Sequence, residues 1–255
     1  MNIDKAAQLL FDTYNSEEGI KPLSEQFADL NIDDAYQIQL INVEKKLVSD
    51  KITGKKIGLT SKPMQEMFNV NEPDYGHIFA SDEVKDNGVL RNKFLQPKVE
   101  AEIAFVLKDD LHKEIISEED VIAATDYVVA AFEVVDSRIK DWKIKLFDTV
   151  ADNASFGAYQ LGTIKMNIKD IDLVKETMKF YKNEELVGEG SGAAVLGNPV
   201  TCVAWLANKL AKYNVYLNKG DIVLSGALSA AIVAEQGDEF YAEFSKLGEI
   251  KLEFK

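Results

Sequence analysis

An α+β fold built on a curved, largely antiparallel sheet is what this sequence predicts, and three observations predict it. Segments of strand character gather in the last two-thirds of the chain, while helical periods occupy its start and recur between strands. Two strand-like runs, in Gln96 to Leu107 and Val128 to Asp136, are apolar enough to read as buried, yet the first carries Glu100 and Glu102 and the second a lone Glu133 in its middle. The chain closes on two alternating segments, Phe240 to Phe244 and Ile250 to Phe254, which read as an antiparallel pair. Residues 1–52 form a helical N-terminal portion and residues 53–255 a single larger unit.

Taken in order, Ala6 to Tyr14 repeats its apolar positions at a helical period. After a loop from Glu17 to Leu23, a second helix is expected from Asp33 to about Ser49, with Asp34 in its first turn. Gly54 to Thr60 reads as a short strand between glycines, where backbone or ligand can approach closely. Lys55 and Lys56 point to opposite faces of it, so one can face inward, although two surface lysines on a strand edge would look the same. Lys62 to Asn69 predicts a short helix with Met64, Met67 and Phe68 as core or pocket wall. Asn71 to His77, with Pro73 and Gly76, is expected to turn and not to form a central strand.

Ser117 precedes three acids and is read as an N-cap. Arg138 is expected to pair with Asp136 or to meet a substrate carboxylate. Lys143 to Val150 reads as a helix, Ala151 to Ser155 as a polar break and Phe156 to Leu161 as a strand. Asp172 to Tyr181 and Glu184 to Gly188 suggest a hairpin about Lys182-Asn183. The glycines from Gly188 to Gly192 lack both the P-loop and the dinucleotide pattern, which argues against a nucleotide site. Pro199 suits the first turn of a helix ending near Tyr213. Gly226 follows the strand Ile222 to Ser225 and permits close approach of backbone to a ligand.

Composition excludes several classes. The 255 residues carry a formal net charge of −14, the wrong sign for a nucleic-acid face. No apolar run reaches membrane-spanning length, and no cationic segment followed by an apolar one opens the chain. Cys202 is the single cysteine and cannot form an internal disulfide, so a cytoplasmic setting is expected and the thiol reads as buried structure. Two histidines, His77 and His112, are too few for a His-rich zinc site. The apolar helix Val200 to Leu210 is richer than one buried face needs, which points to a homo-oligomer.

The chemistry lies with the acids. Glu100 and Glu102, two apart on one strand, share a face. Side by side they repel, and burial adds a desolvation cost, so a cation is expected between them unless that face is simply solvated. Glu133 is a lone acid among Val, Ala and Phe and is hard to place on a wet face. Three carboxylates with positions left for water or substrate suit a hard ion such as Mg²⁺, with Mn²⁺ as the other candidate.

The segments QPKVEAEIAFVL, AAFEVVDSRI, DNASFGAYQLG, GAAVLGNPVTCVAWLANKL and KGDIVLSGAL, with GKKIGLTSKPMQ and NEPDYGHIFA upstream, together resemble the 2-keto-4-pentenoate hydratase and 4-oxalocrotonate decarboxylase family. That family lies in the fumarylacetoacetate hydrolase superfamily, and the resemblance runs through nearly the whole chain in order. It implies the mixed β-roll of the fumarylacetoacetate hydrolase C-terminal domain with a helical N-terminal portion. It also implies Glu100, Glu102 and Glu133 as ligands of Mg²⁺ or Mn²⁺, and Lys56 and Asp74 as proton-handling residues. Asp152, Asn153, Ser155, Ser225 and Gly226 match positions at the substrate. The implied reaction is hydration of a small 2-oxo or 2-hydroxydienoic acid to a 4-hydroxy-2-oxo acid.

A decarboxylase of the same family is the nearest alternative, and relatives of that kind tend to replace the acid at Asp74. A C–C hydrolase of the wider superfamily would more typically bring Asp in place of Glu133, together with a catalytic His. A non-catalytic ligand-binding module is the remaining alternative, against which the intact carboxylates and Lys56 count.

Overall fold

A computed structural model describes residues 2–255. In chain order the elements are α1 (Ile3–Asp12), α2 (Leu23–Gln26), α3 (Ile32–Lys46), β1 (Ile52–Gly58), α4 (Lys62–Phe68), β2 (Asp74–Phe79), β3 (Gly88–Val89) and β4 (Lys98–Leu107). They continue with α5 (Glu118–Ala124), β5 (Thr125–Val135), α6 (Leu146–Ala151), β6 (Phe156–Leu161), β7 (Thr177–Lys182), β8 (Glu185–Ser191) and α7 (Pro199–Ala211). The last four are β9 (Ile222–Ala227), β10 (Ile232–Val233), β11 (Glu239–Phe244) and β12 (Gly248–Phe254).

The strands form two mixed sheets. The larger runs β2-β1-β9-β4-β5-β6 with β10 also on β4, and the smaller runs β3-β12-β11-β7-β8. Two pairs are parallel, β1 with β9 and β3 with β12; the others are antiparallel. Register shifts within β1, β4 and β5 add local twist, which bends the larger sheet.

Alternation along β4 decides what each face does. Val99, Ala101, Ile103 and Phe105 point into the main core, shared with α5, α7 and the smaller sheet. Phe132, Phe180, Phe240 and Phe254 join the two sheets there, ring to ring at 5.6–5.8 Å. Glu100, Glu102 and Ala104 face the other way, and Ala104 packs with Ile78, Val129 and Leu224. The N-terminal helices have their own cluster, Ala6, Leu10, Leu23 and Ile38 against Ile139, Val150 and Ala151.

Local chemistry sets the helix starts. The Asn31 side chain accepts from Asp33 N and Asp34 N to cap α3, and Ser117 forms a capping box with Asp120 at α5. Asn198 caps α7 with Pro199 just inside it.

Several expectations need correction. Asp74–Phe79 is a strand and not a turn: Pro73 stands just before it, and β2 is an edge strand, where the missing proline donor does no harm. Asp172–Lys175 is a turn closed by Lys175 N on Asp172 O, so β7 begins only at Thr177. The hairpin bends at Asn183-Glu184, both with positive φ, as a two-residue loop between twisted strands requires. The helix expected from Lys143 spans Leu146–Ala151. Met64 and Met67 are exposed rather than core. The apolar surplus of α7 is absorbed within the chain, where Val200, Cys202, Val203, Leu206, Ala207 and Leu210 are all buried, so it is no argument for an oligomer. No helix is long and apolar enough to cross a membrane, among the described residues.

Candidate active site

The register of β4 on β5 sets Glu100 directly opposite Glu133, and the two-residue repeat adds Glu102 to the same face. One carboxylate oxygen from each lies within 4.8 Å of the others. Glu102 and Glu133 are fully buried and Glu100 is partly so. Gly226 N–H donates to Glu102 Oε2 at 2.8 Å. The second oxygen of Glu102 and both oxygens of Glu133 accept no hydrogen bond among the described residues. Burial pushes Glu133 up to about 7 against the opposing pull of Lys56. Burial also drives Glu102 well above the usual carboxylate range, with Glu133 and Glu100 adding to it, and raises Glu100.

Buried carboxylate oxygens that converge without hydrogen-bond donors are poor as bare charges and good as ligands. The donor set is all oxygen, which fits a hard divalent cation, and Glu100, Glu102 and Glu133 would hold it. Gly226 supports this place through its backbone: its φ is +115°, and a Cβ there would lie 2.4 Å from Thr60 Oγ1. Ser225 turns its hydroxyl to the Ile103 carbonyl at 2.8 Å, bracing β9 on β4.

Lys56 extends from β1 over this face. Its Nζ donates to the Ala154 carbonyl at 3.0 Å and lies 3.1 Å from Glu133 Oε1, near enough for an ion pair though not aligned as a hydrogen bond. Burial would lower its pKa, but Glu133, Asp74, Glu100 and Glu102 outweigh that and hold it above the ordinary lysine value. Asp74, paired in register with Gly58, is buried with Oδ1 unpartnered. Its desolvation raises it, against Lys56 and backbone donors. Gly58 is what lets these groups approach, because a Cβ there would meet Asp74 Oδ1 at 2.4 Å and Lys56 Nζ at 3.3 Å. Gly58→Ala is therefore expected to leave the fold intact, since Asp74 can rotate away. Turnover should fall about tenfold or more with little change in KM, as misplacement of about 1 Å can do. Unchanged kinetics would show that the Asp74 position is irrelevant.

The turn Asp152–Ser155 faces the site differently from the expectation. Asp152 accepts from Arg138 N–H at 2.8 Å and from its guanidinium, a buried ion pair in which Arg138 chooses Asp152 over the expected Asp136. Asp136 instead accepts from Leu95 N and Gln96 N. Asn153 spends both ends of its carboxamide on the His77 backbone, at 2.7 and 2.9 Å, tying the turn to the free edge of β2. Ser155 Oγ meets Thr149 Oγ1 at 3.2 Å. Asn153, Ala154 and Ser155 all have positive φ, and this left-handed run brings the Ala154 carbonyl to Lys56. Ala154 carries no signal in the sequence, because it acts through its backbone.

Lys55 corrects a further expectation. It is buried on the opposite face, beside His77 in register, and burial lowers it to about 8. It is not a surface lysine.

The triad also predicts a pH dependence. All three folded pKa values lie above the unfolded one, so the metal-free fold binds the extra protons and loses stability as pH rises from about 4.5 toward 7. A cation must displace those protons. The melting-temperature gain from Mn²⁺ over EDTA is expected to grow between about pH 5 and pH 8, reaching about 2.7 kcal/mol of stabilisation at a hundredfold excess over Kd. Taking the difference cancels His77, whose pKa burial lowers to about 3 and which opposes the trend. A gain that is flat with pH would contradict carboxylate ligation.

Three comparisons bear on the site. Residues 63–255 match the family model described as fumarylacetoacetate (FAA) hydrolase C-terminal. The chain is 40% identical to a 2-hydroxyhexa-2,4-dienoate hydratase of Comamonas testosteroni, covering 99% of this chain and 97% of that protein. It is 42% identical to a 2-keto-4-pentenoate hydratase of Paraburkholderia xenovorans, with 99% and 94% covered. Among solved structures it superposes on the 4-oxalocrotonate decarboxylase from Pseudomonas putida G7, complexed with magnesium and adipate, with a TM-score of 0.93 at 34% identity. That superposition covers 100% of this chain and 99% of the other.

Proposed function

Because the chain belongs to the fumarylacetoacetate hydrolase family, on the branch of the 2-keto-4-pentenoate hydratases, we propose that it is a metal-dependent hydro-lyase adding water to a 2-hydroxy-2,4-dienoate. The observation that carries this reading is the buried convergence of three glutamates with Lys56 Nζ 3.1 Å from Glu133 Oε1, and with Asp74 on the neighbouring strand beside Gly58. When bound, a divalent ion, Mg²⁺ or Mn²⁺, supplies Lewis-acid stabilisation of the negative charge that develops as an enol becomes a ketone.

The remaining work falls to the chain's own groups. Ketonisation moves the enol O–H proton off the substrate and delivers a proton to C5, leaving a 2-oxo-3-enoate. Water then adds its oxygen to C4 and a proton to C3, which gives the 4-hydroxy-2-oxo acid. Asp74 Oδ1, desolvated and unpartnered, is suited to take and return a proton. Lys56 Nζ, kept as an ammonium by its acids, holds a proton toward the developing oxyanion. The Asp152–Ser155 turn acts by position, since its three polar side chains already have protein partners.

Decarboxylation of a 4-oxalocrotonate-like diacid is the second reading, favoured by the structural similarity to that decarboxylase. Asp74 supports hydration over it. Purified protein with Mg²⁺ or Mn²⁺ would be given 2-hydroxypenta-2,4-dienoate and 4-oxalocrotonate separately, with ultraviolet loss and product mass followed. A mass gain of one water from the first substrate is expected. Loss of CO₂ from the second, with no reaction of the first, would replace hydration by decarboxylation.

Cys202, buried and unpaired, supports a reducing, cytoplasmic setting. Leu40, Leu47 and Val48, exposed on and just after α3, support a homo-oligomer.

A further inference from the structure

A cavity of about 210 Å³, apart from the glutamate site, lies between α1, α3 and residues 151–153. None of Glu100, Glu102, Glu133, Lys56 and Asp74 lines it. Its apolar wall is made by Leu10, Phe11, Tyr14, Val43 and Phe79. Its polar feature is Gln39, which is 1% exposed. Gln39 Nε2 donates to the carbonyls of Tyr75 and Val150 at 3.1 and 2.8 Å, and these two acceptors fix the orientation of the carboxamide. Gln39 Oε1 is thereby a buried acceptor with no donor, as is the neighbouring Asn42 Oδ1. Leaving such an oxygen unpaired is unfavourable, and the space beside it exceeds what one water needs.

We propose that this cavity is a binding site for a small uncharged ring compound bearing a hydroxyl, a phenol or cyclic alcohol. The ring fills the apolar wall and the hydroxyl donates to Gln39 Oε1 or Asn42 Oδ1. An anion is not the occupant. The two lysines among the lining residues are engaged, Lys46 by Asp82 at 2.6 Å and Lys45 by Gln8 at 2.9 Å, and the remaining charged lining residue is an acid, Asp152. The same wall contains Asn153, so an occupant touches the outer side of the turn whose inner side receives Lys56. The inference does not depend on which reaction the glutamate site performs.

The test is titration of the full-length, isotopically labelled protein with phenol, toluene and benzoate, by NMR and calorimetry. Phenol is expected to shift the side-chain amide signals of Gln39 and Asn153 and to bind roughly 3- to 10-fold more tightly than toluene, the worth of one neutral hydrogen bond. Benzoate should bind more weakly than phenol. Val43→Phe fills the cavity and is expected to abolish phenol binding while basal turnover stays unchanged. Should that variant fail to fold by circular dichroism, Asn42→Leu decides instead, with phenol binding expected to weaken and toluene binding to persist. The proposal is overturned if phenol does not bind at millimolar concentration, if toluene or benzoate binds as tightly, or if phenol binding survives the deciding variant.

Discussion

The Glu102→Gln protein is expected to lose metal-dependent turnover while its far-UV circular dichroism stays that of the parent. Gln keeps the shape of the side chain, and its carbonyl oxygen can still accept from Gly226 N–H, so the β4–β9 contact survives. What goes is one negative charge of three. A neutral amide is a far weaker partner for a hard cation than a carboxylate. The metal-free protein should respond in the opposite direction. Gln is neutral without taking up a proton, so the cost of burying Glu102 at a pH where the unfolded side chain is ionised disappears, and the melting temperature in EDTA at about pH 8 is expected to rise. Adding Mn²⁺ should then raise it little. A variant that keeps turnover, or that melts lower in EDTA and still responds fully to Mn²⁺, would remove Glu102 from the ligand set.

Lys56→Ala is expected to lower kcat by roughly 10²–10⁴, the usual size of a lost proton-handling group. The loss goes beyond one charge. Glu133 would stand without its counter-ion 3.1 Å away, and the Ala154 carbonyl would lose its donor. Lys55 supplies the control. It lies one residue away but on the opposite face, so Lys55→Met, which keeps much of the buried volume, is expected to leave kcat within about twofold. Stability is the quantity that variant should change, because Lys55 is buried and its charged form is disfavoured there. Equal losses of turnover from both variants would mean that the face assignment along β1 does not govern function.

Much of the candidate site's geometry is legible in the sequence because it follows from the strand repeat. Glu100 and Glu102 had to share a face, and an isolated Glu133 among Val, Ala and Phe had few places to go but inward. The glycines around Lys55-Lys56 also signalled close approach, and Gly58 proves to be where Asp74 and Lys56 crowd the backbone. The turn at Asp152–Ser155 was visible as a turn but not in its role. Its residues are polar for the sake of Arg138, the His77 backbone and Thr149, and its contact with Lys56 is made by a peptide carbonyl that any residue would supply.

By itself, the sequence determined period and polarity: the strand character of β4, β5, β11 and β12, which face of β4 carries the acids, the cap at Ser117, and that three acids sit in apolar surroundings. Those properties are local, fixed by side-chain alternation and by hydrogen bonds within a few residues. Only the tertiary structure decided the quantities that depend on register and neighbours. These are the pairing of Glu100 with Glu133 across two strands, the choice of Asp152 over Asp136 by Arg138, and the burial of Lys55 as well as Lys56. Only that structure makes Asp74 part of an edge strand. Register is set by the whole sheet's burial of its apolar face, and a shift of one residue would turn every one of these side chains away from the site.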